Sequence, residues 1–269
     1  MEQWNRKWRT LWCWSNVYVG WKVSQARARA LPKEQQAEFW EKRHEHFANV
    51  IWNNIKELRG NPEEIFKEID PQALASASIG QVHRAWLKDG SPVVIKVQHA
   101  DVEALLSHDM KNLQQLSWAF GLLESGLNFG PVLEEWQRAA AKELDFRYEL
   151  SHQLRAYEAV KRSGIDVIIP QCYPELTSKK VMVMEFVKGF KITDLDKLDE
   201  YKVDRRELMY KLCDSFAYQI HIDGLFNGDP HPGNILVQID EETGDATPVI
   251  LDWGLVKTFD SKGQLAFSK

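Results

Sequence analysis

Asp229 and Asn234 stand five residues apart in the run Phe226 to Asn234, FNGDPHPGN, and Asp252 follows eighteen residues after Asn234 in VILDWG. An Asp and an Asn on one loop, then a second Asp on a turn after an apolar strand, is the spacing a metal-phosphate site needs. Phosphoryl transfer asks little covalent work of a protein. It needs a carboxylate aimed at the attacking hydroxyl and hard oxygen ligands that hold Mg2+ against the phosphates. Asp229 fits the first task, Asn234 and Asp252 the second. Asp229 alone would equally suit a solvated Asx-rich turn; the three residues together carry the chemical reading.

The elements that must position them follow from the neighbouring residues. Pro230 and Pro232 fix φ and Gly233 permits a sharp bend, so the loop can hold one shape without a helix or strand. Ile235 to Val237 and Val249 to Leu251 read as two short strands around the polar turn Asp240 to Thr247, a hairpin that brings Asn234 and Asp252 to the same end. Upstream, residues 204 to 223 read as one helix with Leu208, Leu212, Phe216 and Ile220 on a common face, ending at Asp223-Gly224.

Earlier in the chain, Asn61-Pro62-Glu63-Glu64 reads as a helix start, with Asn61 as cap and Pro62 at the first helical position. The stretch Ala73 to Ala85, ALASASIGQVHRA, reads as a small-residue loop running into a strand. Its small side chains let backbone approach a ligand, and its Ser hydroxyls and N–H groups can face phosphates, though such turns also serve ordinary close packing. Asp89-Gly90 signals a hairpin, and Pro92 to Val97 is a strand carrying Lys96 among apolar residues, either a solvent-facing edge residue or a cation turned toward a ligand. Residues 101 to 127 and 132 to 162 read as two long helices. The second holds Glu143, Asp145 and Glu149, an acidic density that is usually a solvated face. Lys180 to Val187 is a strand whose last residues, Glu185 and Val187 among them, could read an adenine edge, with Met184 near the ring; it is equally another core strand.

Composition narrows the classes. At 269 residues the chain can bury one large core or two lobes. An apolar fraction of 44% argues against general disorder, and a net charge of -5 gives no basic field for nucleic acid. Cys13, Cys172 and Cys213 are odd in number and widely spaced, so they form no disulfide framework, and a reducing compartment is the simpler reading. His44, His46, His83, His99 and His231 lack zinc-type spacing. No apolar run approaches the length of a membrane span. Trp4, Trp8, Leu11 and Trp12 recur at helical spacing among Arg6, Lys7 and Arg9, a basic amphipathic start. It reads as a surface helix in a membrane interface, a targeting segment, or a helix packed through its Trp face. A second charged helix runs from Leu31 to about Leu58.

With ASASIGQVHRA, VVIKVQHAD, KELDFRYE, FNGDPHPGN and LDWG in this order, residues 61 onward resemble the UbiB-type atypical kinase family, which includes kinases supporting coenzyme Q biosynthesis and their plastid relatives. The resemblance implies an α+β, atypical protein-kinase-like bilobal fold with a helical N-terminal extension (1–60), an N-lobe with inserted helices (61–187) and a partial C-lobe (188–269). It implies ATP and Mg2+ as cofactors. Ala75, Ser76, Ala77, Ser78, Ile79, Gly80 and Gln81 would cover the nucleotide; Lys96 would hold the phosphates, paired with Glu149; Glu185 and Val187 would meet the adenine. Asp229 would be the base-like residue, Asn234 and Asp252 the Mg2+ ligands, and Glu143 with Asp145 the family's Glu-x-Asp motif.

Three departures stand out. Trp253 occupies the position where the kinase turn usually has Phe. The family's Lys-x-Gly-Gln segment has no counterpart, and the join at Leu58 to Asn61 falls where it should be, so Glu143 and Asp145 are expected to lack their cationic partner. Only fifteen residues follow Gly254, which implies a truncated C-lobe with an exposed apolar face. The function implied is an ATP-dependent phosphotransferase or ATPase in isoprenoid-quinone or lipid metabolism, peripheral to a mitochondrial or plastid membrane, with membrane lipid or quinone-pathway proteins as partners. Two other classes stay open: a pseudokinase or lipid- or partner-binding module without turnover, and a small-molecule phosphotransferase, against which SIGQVHRA speaks.

Overall fold

Asn61 accepts the Glu63 amide on its side chain and Pro62 fills the first helical position, but the helix so started, α1 (Pro62–Ile65), is a single turn. The chain then becomes β1 (Phe66–Ser76), β2 (Gly80–Leu87) and β3 (Pro92–Gln98), an antiparallel meander in which β2 pairs with both neighbours. The computed structural model describes residues 54, 55, 58, 61–76, 79–99, 102–123 and 130–267. The Trp-rich start, Cys13 and most of the second expected helix lie outside them. From that helix, Ile55 and Leu58 are buried, and Asn54 donates to the Gln98 carbonyl at 2.8 Å.

Strand pairing reaches further into the small-residue stretch than its composition indicates. Ala73, Ala75 and Ser76 lie opposite His83, Val82 and Gln81, so the expected loop shrinks to the hairpin tip. Register shifts between Phe66 and Ala75 let β1 cross β2 with bulges.

The chain divides into two compact units, Met1–Leu133 and Glu134–Lys269. Strands β1 to β3 and helix α2 (Val102–Leu123) belong to the first; α3 (Gly130–Glu143) begins there and runs into the second. Helix α4 (Phe146–Ser163), carrying Glu149, and β4 (Val181–Glu185) belong to the second.

The second expected long helix is two. It breaks at Leu144–Asp145, because Asp145 adopts extended backbone and caps α4 by accepting the Arg147 amide. Gly164 closes α4 at φ 67, where a side chain would be strained.

In the second unit, β5 (Phe190–Lys191), β7 (Ile235–Ile239) and β8 (Ala246–Ile250) form one antiparallel sheet, and β6 (Leu225–Asn227) with β9 (Val256–Thr258) a second. Helix α5 (Leu195–Glu200) and helix α6 (Arg205–Tyr218) follow β5, and α7 (Ser261–Phe267) follows β9. Helix α6 does not run on unbroken to Asp223. It widens into a π-helical turn, Gln219–Asp223, closed by Gly224 at φ 71. The core gathers Ala156 of α4, Leu212 of α6, Leu225, Ile235, Ile250 and Trp253, so the helices and both sheets share one apolar interior. Cys172, buried, and Cys213, exposed, are free thiols.

Candidate functional site

The β7–β8 hairpin sets the first two groups. Ile235 lies opposite Ile250, and just beyond the ladder the Leu251 amide donates to the Asn234 carbonyl at 3.0 Å. Asn234 and Asp252 therefore emerge at the same end, both half-buried. Asn234 closes a 3-10 turn, Pro232–Asn234, capped by His231 Nδ1, which accepts the Gly233 amide at 3.0 Å. Asp229 sits upstream on a stretch, Gly228 to Gly233, that is exposed throughout, so its carboxylate faces solvent.

A further residue of the FNGDPHPGN run, one given no role by its type alone, ties this loop to the turn. Asn227, buried at the end of β6, accepts the Asp229 amide on Oδ1 at 2.9 Å and donates Nδ2–H to the Asp252 carbonyl at 2.6 Å. Its own amide donates to Gln219 Oε1 at 3.0 Å, and Gln219 Nε2 donates to Ser215 Oγ at 3.2 Å. The π-turn aims Gln219 inward to make this chain, which suits the tendency of π-bulges to occur at functional positions. Ser215, Gln219 and Asn227 are each buried, where polar groups left unmatched would be costly. The signal was present in the sequence: an Asn two residues before an Asp, at the start of a proline-rich loop.

The turn after β8 is anchored by Trp253, which is 0% exposed and donates Nε1–H to the Ile250 carbonyl at 3.4 Å. Trp in place of Phe thus supplies apolar volume and one hydrogen bond. Asp252 Oδ1 accepts the Gly254 amide at 2.9 Å. A Cβ at Gly254 would lie 3.2 Å from Asp252 Oδ1 and 3.8 Å from Glu149 Oε2, so both carboxylates border the space that glycine leaves open. Glu149 is buried in the first turn of α4, and His152, one turn on, has Nδ1 3.2 Å from the Trp253 carbonyl.

In the first unit, Lys96 is buried and lies opposite Val82. Directly paired residues share a sheet face and successive residues alternate, so Gln81, opposite Val97, projects to the other face from Lys96. Any contact of Gln81 on the Lys96 side falls to its backbone. Gly80 is demanded by packing: a Cβ there would meet the Val97 carbonyl oxygen at 2.5 Å. The Ile79 carbonyl accepts the His99 amide at 3.0 Å, which continues the pairing to the hairpin tip. Ala75 and Ser76 lie on β1, and Ala77 and Ser78 lie outside the described residues.

The model of the ABC1 atypical kinase-like domain matches residues 38–269. The chain belongs to the ABC1 atypical kinase-like family. Mouse "AarF domain-containing protein kinase 1" is 33% identical over 210 residues, covering 76% of this chain and 39% of the relative. The Arabidopsis thaliana "Protein ACTIVITY OF BC1 COMPLEX KINASE 8, chloroplastic" is 32% identical over 212 residues, covering 75% of this chain and 26% of the relative. The chain thus spans two fifths or less of the length of these relatives. Among solved structures, that of Mycobacterium tuberculosis Rv3197 with erythromycin aligns with a TM-score of 0.62 at 24% identity, over 96% of this chain and 66% of that one. That likeness concerns the fold, which is the kinase-like α+β fold expected.

One expectation attached to the family does not hold in this ABC1 domain. Asp145 does not lack a cation. Its carboxylate accepts Arg147 Nε at 2.9 Å and Nη2 at 2.7 Å, besides the capping amide. Those Arg147 hydrogen bonds hold the Asp145 carboxyl below the usual aspartate range, with Lys179 adding a smaller attraction. Such fork-to-fork pairing fixes geometry as well as charge. Glu143 ends α3 and takes part in an interaction of its own.

The strand expected over Lys180 to Val187 is β4, shorter at both ends. Met184 is buried with its sulfur 3.9 Å from Gln153 Nε2, so it packs against α4. The Glu185 amide donates to the Gln171 carbonyl at 2.8 Å, which leaves only the Glu185 carbonyl for an adenine edge. Val187 follows the strand and is half-buried.

Asn234 and Asp252 fit a hard divalent cation by chemistry: one amide oxygen and one carboxylate, placed at one hairpin end. Among the described residues, no three His, Cys, Asp or Glu gather into an all-protein cage. A site of one Asp and one Asn leaves most positions to water and phosphate oxygens, the usual manner for Mg2+.

Proposed function

We propose that this ABC1 domain binds MgATP and acts as a phosphotransferase or ATPase, in isoprenoid-quinone or lipid metabolism. The observation that carries the reading is the β7–β8 register, which brings Asn234 and Asp252 to one end of a hairpin, with Asn227 tying Asp252 to the Asp229 loop. In this reading Asp229, held by its amide on Asn227, orients the attacking hydroxyl or water. Asn234 and Asp252 hold Mg2+, which would neutralise charge developing on the phosphate oxygens. Lys96 takes the phosphates with Glu149 as its partner, and the backbone of Ala75 to Gln81 covers the nucleotide. These assignments rest on the sequence motifs, supported for Lys96 and Glu149 by the burial of two charged groups, which is rare unless they are matched. Glu185 and Val187 would meet the adenine, the former through its carbonyl. The quinone or lipid setting and an organelle membrane rest on the family resemblance.

The test is the melting temperature of the purified chain with and without MgATP, beside Lys96→Ala and Asp252→Ala. Ligand at 100 times its dissociation constant adds about 2.7 kcal/mol, a rise of roughly 5 to 10 °C for a domain of this size. The expected result is a rise in the wild-type chain that is lost in both variants. No rise in a folded wild-type sample would overturn the reading in favour of a binding module without nucleotide.

A further inference from the structure

Helix α4 presents two groups to the turn after β8, and only one belongs to the motif set. Glu149 comes within reach of the Gly254 position, and His152, three residues on and so on the same helix face, reaches the Trp253 main chain. A carbonyl oxygen only accepts, so the proton in this 3.2 Å contact sits on His152 Nδ1. Burial lowers the ring's pKa more than the hydrogen bond to the Trp253 carbonyl raises it, and the nearby charges of Arg155 and Lys142 lower it a little further. The ring is therefore neutral near pH 7 and its one proton is committed to Trp253.

The turn is gripped from several sides. Asn227 holds the Asp252 carbonyl from β6, Gly254 holds the Asp252 carboxylate from within, and the indole of Trp253 is locked in the core. His152 adds the hydrogen bond that comes from the helix carrying Glu149. We propose that His152 is a positioning residue: by donating to the Trp253 carbonyl it fixes α4 against the turn, and so sets the spacing between the Glu149 and Asp252 carboxylates. The consequence for Mg2+ rests on the MgATP reading above; the tie itself does not.

Substitution can separate donation from space filling. The Nδ2 of Asn and the Nδ1 of His are both bonded to Cγ, so Asn can replace the donor, whereas Leu fills the space without donating. In the full chain, His152→Leu is expected to raise the Mg2+ concentration for half-maximal ATP binding about three- to tenfold, the range one net hydrogen bond commands. His152→Asn should stay within about twofold of wild type. Amide hydrogen exchange of Gly254 in the ligand-free protein should quicken in the Leu variant and be restored in the Asn variant. Equal Mg2+ dependence in wild type and Leu, or an Asn variant no better than Leu, would overturn the proposal. If wild-type chain fails to bind MgATP, the proposed function falls, and the exchange comparison alone decides the tie. His152→Ala serves in the same comparison should the Leu variant fail to fold.

Discussion

At the scale of single residues, the site depends on what is missing as much as on what is present. Gly254 has no Cβ, and one added there would press on Asp252 Oδ1 at 3.2 Å and approach Glu149 Oε2 at 3.8 Å. Its φ is not in the left-handed region, so Ala can adopt its backbone. Gly254→Ala should therefore leave the ligand-free melting temperature unchanged or slightly raised, since Ala loses less chain entropy on folding. MgATP affinity should fall about tenfold, because the carboxylate must shift; titration of the variant by calorimetry checks this, and an unchanged affinity would count against Asp252 as a ligand. The motif residues were legible because Pro, Gly and Asp constrain backbone or carry charge wherever they stand. Asn227 stood in the same run and two residues before Asp229, but its role became readable only once strand pairing showed which two backbones it joins.

At the scale of elements, α4 depends on the residue that caps it. Asp145 caps it and binds Arg147 through three hydrogen bonds. Asp145→Ala should lower stability by about 1 kcal/mol through the lost cap, a drop of roughly 2 to 4 °C in melting temperature. Arg147→Ala should cost less, because Arg147 is largely exposed and exposed pairs contribute little. A larger loss from Arg147→Ala than from Asp145→Ala in thermal melts would refute this ranking. The β7–β8 hairpin and the cap at Asn61 could be read from sequence, since alternation and capping chemistry act locally. The break before α4 carried a usable sign, an Asp followed four residues later by a first-turn Glu, but it lay within a charged stretch that fits continuous helix equally well. The Ala73 to Ser76 segment misled for the opposite reason. Its Ala and Ser read as loop, yet pairing with β2 overrides local preference. The π-turn had no sequence sign, because one extra residue per turn leaves no compositional trace.

At the scale of the whole molecule, burial of His83 links stability to pH. The ring is 1% exposed on β2, with Nδ1 3.0 Å from the Asp70 carbonyl and, among the described residues, no hydrogen-bond partner at Nε2. Burial lowers its pKa from 6.5, more than the Asp70 carbonyl and charge raise it. Below pH 6.5 the unfolded chain binds a proton that the folded chain resists. The stability contribution is thus complete above pH 6.5 and lost as pH falls toward the folded value. Urea midpoints should be lower at pH 5.5 than at 7.5, and His83→Gln should flatten that difference; an equal slope in the variant would assign the effect elsewhere. No helix among the described residues is long and apolar enough to cross a membrane. The kinase-like fold class was legible because ordered motifs accumulate along the chain.

The β7–β8 hairpin separates chemistry from variation along its own length. Asn234 and Asp252 lie at one end, and five ladder pairs away the chain reverses through Asp240 to Asp245, all exposed. That reversal is closed by its own hydrogen bonds: Asp240 Oδ1 accepts the Glu242 and Thr243 amides, and Gly244 turns at φ 79, while Glu241 pairs with Lys188 at the surface. The far end is therefore a natural graft point. A peptide tag or fluorescent reporter spliced between Glu242 and Thr243 would ride on the hairpin as on a handle, reporting on the domain without entering the end that carries Asn234 and Asp252.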